Sequence, residues 1–373
     1  MPNNLKRGYY IHFQGRESLG VSKKIDMQLE EFGKHYAIKE VEVMTKKRTL
    51  LRRIAGLFPT ESIDRDYDKA LEQIVEPDFI YARRTVADKE YVRFFCNIKK
   101  EYPKCKIIVE IFTYPYDRDN FLKWDAWPFY IKELLNRPKL KGCVDRFVTY
   151  SDDKEIFGIP TICSINGINV EKHKIVEGEY KENVIRLLGV AFMQRQHGFE
   201  RVISGMYNYY KKNADKPKVK VELWLVGDGP EKSKYQSQVH KCGMEEYVTF
   251  FPNTIGEELD DIYNQCDLAL AAFGLYKVNV MGKISALKTR ECLAKGIPLI
   301  SGSPVDVLDE GFEYALIYSN DNTPLCIEEI VSFYQRITDG KTKRQVAQDI
   351  RRQTESLIDI SVAMKPIVDY IEN

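Results

Sequence analysis

Short apolar runs alternate with longer amphipathic stretches along nearly the whole of this chain, and that alternation restricts the fold more than any other feature. A parallel strand is joined to the next by a crossover of a dozen or more residues, usually a helix, so strand–helix alternation implies parallel sheets with right-handed connections. In the first half the expected strands are Gly8–Phe13, Ala37–Met44, Asp78–Ala82, Lys106–Phe112 and Arg146–Tyr150, with helical spacing over Val21–Phe32, Tyr67–Val75 and Tyr91–Glu101. In the second half they are Val184–Gly189, Lys220–Val226, Val248–Phe251, Leu268–Ala272, Pro298–Ser301 and Ala315–Tyr318, with helices over Phe199–Lys211, Leu259–Gln265 and Ser285–Lys295. At 373 residues the chain exceeds one ordinary domain, so the expected fold is α/β with two Rossmann-like domains, each a parallel sheet flanked by helices. The polar stretch INGINVEKHKIVEGEYKEN separates the two series, and its Asn166-Gly167 pair is a chain-reversal signal. The expected division is a first domain over 1–167, a linker over 168–183, a second domain over 184–355, and a C-terminal helix over 356–373 that packs back on the first domain.

A formal net charge of +1 excludes the basic excess of a general nucleic-acid binder. The eight cysteines form no C-x-x-C pair and mostly sit in apolar runs, which reads as reduced core thiols of a cytosolic protein with no disulfide and no metal site. The N-terminal MPNNLKRGYYIHF lacks a signal-peptide apolar run, and no stretch approaches the length of a membrane span.

Ligands of open parallel sheets bind at the carboxyl ends of the strands, where helix N-termini face outward. Three such places stand out in the second half. LWLVGDGPE runs from a strand into Gly227 and Gly229, which permit close approach of a ligand to the backbone, with Pro230 suited to a first helical position. LLGVAFMQRQHGFERVISG presents Arg195 and His197 just before a helix, against the macrodipole, which favours an anion between them over two solvated side chains. ISALKTRECLAKGIPLISG is the third. Ser285 is the expected N-cap, and Lys288 and Glu291 follow as either a surface pair or ligand groups. Arg290 falls inside the apolar stripe of that helix, so it needs a carboxylate, a phosphate or a cleft rim. Together the three loops describe a pocket for a diphosphate and a ribose, with Asn253 beyond the next strand as a further donor contact.

Two Rossmann-like halves, an Asn-Gly join, a V-G-x-G-P-E strand end and an S-x-L-K-x-R-E-x-L-A-x-G-x-P helix resemble the GT-B glycosyltransferases of family 4, most strongly over Val184–Gly302. The resemblance implies a retaining transfer from a nucleotide-diphosphate-sugar, with no metal and no cofactor beyond the donor, of the kind used in surface polysaccharide assembly. It implies that Glu291 holds the donor ribose, that Arg195, His197 and Lys288 hold the diphosphate, and that Gly20 in GRESLGVSKKI belongs to a glycine loop facing the donor. Lys283 stands where the family often carries a second glutamate, and His197 where a lysine is more usual, which leaves the sugar open.

In the first half, KIIVEIFTYPYDRD ends a strand with Glu110, Thr113, Tyr114, Tyr116 and Asp117, candidates for sugar or acceptor contact. FIYARRTVAD adds Arg83 for an acidic acceptor, with Arg84 solvated. In TKKRTLLRRIAGLFP, over Lys46–Phe58, leucines and isoleucine at helical spacing are interleaved with five cations. This reads as a basic amphipathic helix on an anionic membrane surface, as of a peripheral protein, or as a helix packed on its own sheet with a solvated basic face; the resemblance adds that a membrane contact fits a saccharide or lipid-linked acceptor. The competing classes are a sugar-nucleotide epimerase of the same shape and a nucleotide-sugar-binding protein without turnover.

Overall fold

The computed structural model describes residues 5–13, 19–46, 58, 61–111, 114, 127–214, 216–278, 280 and 282–373. The chain divides into two compact units, Met1–Gly167 with Ile360–Asn373, and Ile168–Asp359.

The first unit holds strands β1 (Arg7–His12), β2 (Ala37–Glu42), β3 (Phe79–Arg83), β4 (Lys106–Ile111), β5 (Arg146–Thr149), β6 (Glu155–Ile156) and β7 (Ile159–Cys163). Their order is β2-β1-β3-β4-β5-β7-β6. All neighbours are parallel except β6 and β7, which form a hairpin. That hairpin was not expected from the sequence. Its strands are two and five residues long, and its turn places Phe157 and Gly158 at φ 52° and 76° without the usual Asn-Gly signal. Side-chain alternation divides the core by face. Tyr9, Ile11, Ile80 and Val109 lie on the side covered by α2 (Tyr67–Leu71) and α3 (Lys89–Glu101). Tyr10, Tyr81, Ile108 and Val148 lie on the other, with Ile25 and Phe32 of α1 (Leu19–Gly33). The C-terminal helix α11 (Ile360–Glu372) joins that second cluster through Ile360, Met364, Ile367 and Ile371. A further helix the sequence reading missed, α4 (Trp127–Asn136), completes this unit's described helices.

The second unit runs β8 (Val184–Val190), α5 (Glu200–Lys212), β9 (Lys220–Val226), α6 (Lys232–Cys242), β10 (Val248–Phe251), α7 (Glu257–Gln265), β11 (Leu268–Leu270), α8 (Leu287–Lys295), β12 (Leu299–Ser301), β13 (Ala315–Ile317), α9 (Ile327–Thr338) and α10 (Lys343–Ile358). The all-parallel order β10-β9-β8-β11-β12-β13 reverses direction between β8 and β11. A doubly wound sheet opens its ligand crevice at such a reversal. The stretch 168–183, read from composition as a linker, is bonded into this unit. Ile168 N–H donates to Ile358 O (2.9 Å), Val176 N–H to Lys295 O (2.9 Å), and Arg351 to Val170 O (2.7 Å). All eight cysteines are free, but Cys163 and Cys326 are exposed and so are not core residues as expected.

Gly296 ends α8 at φ 75°, and a Cβ there would come within 2.3 Å of Ala347 O. Left-handed backbone and close helix approach both require glycine at this place. Gly296→Ala should therefore destabilise the second unit by about 2 kcal/mol or more in chemical unfolding. A loss under half of that would show that α8 and α10 separate easily.

Candidate functional site

The loops at the carboxyl ends of the second sheet are bonded to one another in series. Met193 N–H donates to Asp228 O (2.6 Å), and Ala191 N–H to Val226 O (3.0 Å). Phe273 N–H donates to His197 O (2.9 Å), and Gly274 N–H to Gln196 O (3.0 Å). Gly302 N–H donates to Ala272 O (3.0 Å), while Ile284 N–H and Asp306 N–H bond Pro304 O and Ile284 O (2.8 and 3.1 Å). The rim of this strand edge is therefore a set of mutually braced turns. The glycines serve that bracing. A Cβ on Gly227 would come within 2.1 Å of Ala191 O, and one on Gly229 within 2.5 Å of Met193 N, both at positive φ. The close approach expected of a ligand is occupied at these two residues by the neighbouring turn. Pro230 lies in the turn two residues before α6 rather than at its first position.

Arg195 and His197 form a single 3-10 turn directly at the β8/β11 reversal. Gln194 N–H lies 3.0 Å from His197 Nδ1, closer than the 3.3 Å from Nδ1 to Gln194 O, and this shorter contact favours the tautomer with its proton on Nε2. Burial pushes the imidazole below its ordinary value, which keeps it neutral at pH 7. His197 is thus a neutral donor, not the second cation the sequence suggested. Arg195 is exposed and makes no ion pair or side-chain hydrogen bond with a described residue. Arg201, buried at the start of α5, donates to Phe273 O (2.9 Å) and Thr323 O (2.7 Å) and so holds the facing loop. Phe192 was missed by the sequence reading. It is 64% exposed in the turn between β8 and Arg195, and a large aromatic immediately after a buried strand was the available signal.

Helix α8 starts one residue later than expected. Ala286, not Ser285, is its N-cap residue. The Ser285 hydroxyl accepts from Arg290 Nη2 at 3.4 Å. Arg290 is completely buried and its guanidinium pairs with the Asp306 carboxylate, which answers the demand for a counter-charge. Because Asp306 is also bonded through its backbone to Ile284, the pair fixes how the first turn of α8 sits against the β12 loop. On the outer side of that turn Lys288 Nζ donates to Glu291 Oε2 at 2.7 Å, with the lysine side chain 44% and the glutamate 13% exposed. Asn253 and Lys283 are exposed in the neighbouring loops.

In the first unit two of the candidate acceptor residues, Glu110 and Arg83, are buried. Glu110 is 0% exposed at the end of β4 and accepts from Lys24 Nζ (2.8 Å), Arg83 Nη1 (3.4 Å) and the Tyr150 hydroxyl. Lys24 also donates to Asn166 Oδ1 at 2.6 Å. Burial alone would raise the Glu110 carboxyl, but Lys24 and Arg83 hold it at about 2. Glu110 and Arg83 are therefore an internal ion cluster at the strand ends, not open ligand groups. Arg84 is likewise buried and paired with Glu133, not solvated. Tyr114 packs edge-on against Phe157, centroids 5.9 Å apart, at the margin of the core. Gly20 lies in the first turn of α1 rather than in a loop, with open space where a Cβ would project. Asp117, Thr113, Tyr116 and the stretch 47–57 fall outside the described residues, so the acceptor calls there and the basic amphipathic helix stand as expectations.

Residues 184–336 match the family model Glycosyl transferases group 1. A glycosyltransferase from Rickettsia africae ESF-5 superposes with a TM-score of 0.66 at 10% identity, over 99% of this chain and 98% of its own. HepE of Anabaena, solved in complex with UDP-glucose, gives 0.63 at 11% identity over 98% and 100%. Sucrose-phosphate synthase from Thermosynechococcus elongatus gives 0.62 at 13% identity over 98% of both chains. Comparison with curated protein sequences finds no match. At these identities the likeness is one of fold, and the fold is GT-B.

Two measurements check the site's construction. Arg290→Ala strands a half-buried Asp306 and should cost about 3 kcal/mol of unfolding free energy, with Asp306→Asn close behind; a loss below about 1 kcal/mol would mean the pair is not structural. Glu110 titrates at about 2 in the folded chain against an ordinary 4.5. Its contribution is complete above 4.5 and is lost as the pH falls toward 2. Glu110→Gln should flatten that part of the acid-stability profile and lower stability at neutral pH. An unchanged profile would show that Glu110 is not held ionised.

Proposed function

We propose, from a second unit whose residues 184–336 match Glycosyl transferases group 1, that the chain transfers a sugar from a nucleotide-diphosphate donor bound on the β8/β11 edge. The observation that carries this reading is Arg195. It is an exposed cation with no described protein partner, set at the point where a doubly wound sheet opens its ligand crevice. An anion is the partner such a residue lacks, and a diphosphate supplies it.

Lys288, in the first turn of α8, adds a second cation beside outward-facing helix N–H groups. Its pair with Glu291 is an (i, i+3) contact with an exposed lysine, worth about 0.2–0.5 kcal/mol. Donor binding separates them at little cost, leaving the ammonium for a phosphate and the carboxylate for two ribose hydroxyls. Neutral His197 donates from Nε2 to a phosphate or sugar oxygen, and Phe192 offers an aromatic face. As the diphosphate leaves, Arg195 and Lys288 stabilise the charge that develops on it. No cofactor or metal enters this scheme.

The transfer is retaining, the acceptor is a saccharide or lipid-linked saccharide, and the pathway is surface polysaccharide assembly. These finer parts extend the family likeness, together with the UDP-glucose in the Anabaena structure and the related lipopolysaccharide galactosyltransferase WaaB, which has a TM-score of 0.58 at 15% identity. Lys283, exposed before α8, bears on which sugar is taken.

Thermal unfolding with UDP, GDP, ADP and CMP tests the donor pocket. A ligand at one hundred times its Kd adds about 2.7 kcal/mol of stability. One diphosphate should shift the transition selectively. Arg195→Ala, Lys288→Ala and Glu291→Ala should each weaken its binding about tenfold, or about 1.4 kcal/mol. Wild-type affinity in all three variants would remove this assignment. The anomeric configuration of the product, read by NMR, decides the retaining step, and conversion of the donor without any acceptor would indicate an epimerase instead.

A further inference from the structure

The loop after β11 has little regular structure of its own. Its described residues between 273 and 280 form no strand and one short 3-10 turn, Leu275–Val278. Yet this loop seats the turn that carries Arg195. Phe273 N–H and Gly274 N–H donate to His197 O and Gln196 O at 2.9 and 3.0 Å. A Cβ on Gly274 would come within 2.4 Å of Arg195 O, so the two backbones are in direct contact. Arg195 has no side-chain bond to a described residue, and its place at the crevice follows from this backbone contact.

What steadies the β11 loop comes from far along the chain. Residues 319–323 follow β13, two strands away at the edge of the sheet. Asn320 spans the β11 loop with one side chain. Its Oδ1 accepts from Tyr276 N–H (2.9 Å) and its Nδ2 donates to Val280 O (2.9 Å). A carboxamide offers an acceptor and a donor side by side, whereas an ionised carboxylate only accepts. Beside it Asp321 meets Arg201 Nη2 at 3.4 Å. Arg201, buried, joins Phe273 O to Thr323 O, so it ties both loops to the start of α5. Lys277 also pairs with Glu200 of that helix. Arg201 and Lys277 thus hold the loop to α5, while Asn320 grips its outer turn at both ends.

We propose that Asn320 is a positioning residue for the donor site. By clamping the turn between Tyr276 and Val280 it fixes Phe273 and Gly274, and through their two amide bonds the turn that presents Arg195 and His197. The consequence for diphosphate binding rests on the donor reading given above; the link between the loops does not.

Hydrogen exchange of the full chain without ligand tests the link. In Asn320→Ala the Phe273 and Gly274 amides should exchange about fivefold faster or more, while those of β9 keep their wild-type protection. Asn320→Asp, which keeps an acceptor for Tyr276 N–H but sets a carboxylate against Val280 O, should do the same. Unchanged exchange at Phe273 and Gly274 in both variants would overturn the proposal. Calorimetric titration with UDP, GDP and ADP tests the consequence. Asn320→Ala should weaken binding of the preferred diphosphate about fivefold. In an Arg195→Ala background the same change should cost about twofold or less, because a residue that acts through another is not additive with it. Equal losses in the two backgrounds would overturn the route through Arg195. Wild type that binds none of the three would remove the donor reading and the effect on affinity with it, while exchange still decides whether Asn320 sets the Arg195 turn.

Discussion

Everything about the second unit follows from the requirement that parallel strands be joined by crossovers. The connection from one strand to the next must return to the starting edge, so every strand ends on the same side and its loop emerges there. With the order β10-β9-β8-β11-β12-β13, the loops after β8 and β11 leave in opposite directions and open a crevice between them. Arg195 occupies that place because the chain leaves β8 through a short 3-10 turn before α5 begins.

The crevice is useful only if its loops hold still, and here backbone does most of the holding. Gly227 and Gly229 admit the Ala191–Met193 backbone, and Gly198 and Gly274 admit each other. At β12 a side chain takes over. The Arg290–Asp306 pair, with its guanidinium fully buried, fixes the first turn of α8, from which Lys288 projects. A buried pair is strong in this role because removing either partner leaves an uncompensated charge. The Lys288–Glu291 pair, its lysine side chain 44% exposed, is the weaker contact because water reaches the ammonium.

In the first unit the same topology gathers charge and then encloses it. Arg83, Glu110 and Tyr150 arrive at neighbouring strand ends, and Lys24 reaches them from α1. Glu110 is locked at about 2, so it stays ionised through the physiological range and holds strand ends and helix together. On the other face, Arg84 and Glu133 apply the same principle to α4. There the buried pair outweighs the burial of an apolar stripe, and the leucines are left facing outward.

The sequence by itself determined the alternation of elements and therefore the fold. All eleven strands expected from short apolar runs lie within two residues of the observed limits at both ends, because the central strands, buried on both faces, must be apolar throughout. It determined too that Arg290 needed a counter-charge, since burial of a lone guanidinium is prohibitive. Only the tertiary structure decided that the partner is Asp306, that Ala286 takes the N-cap position expected of Ser285, that His197 is neutral, and that Gly227 and Gly229 yield to a neighbouring turn. Only the tertiary structure likewise showed that Glu110 and Arg83 satisfy each other and that α4 points its apolar side outward. Each of these depends on which residues distant in sequence meet across a loop edge or a helix face, and local periodicity records the spacing of side chains along an element but not the partner they turn toward.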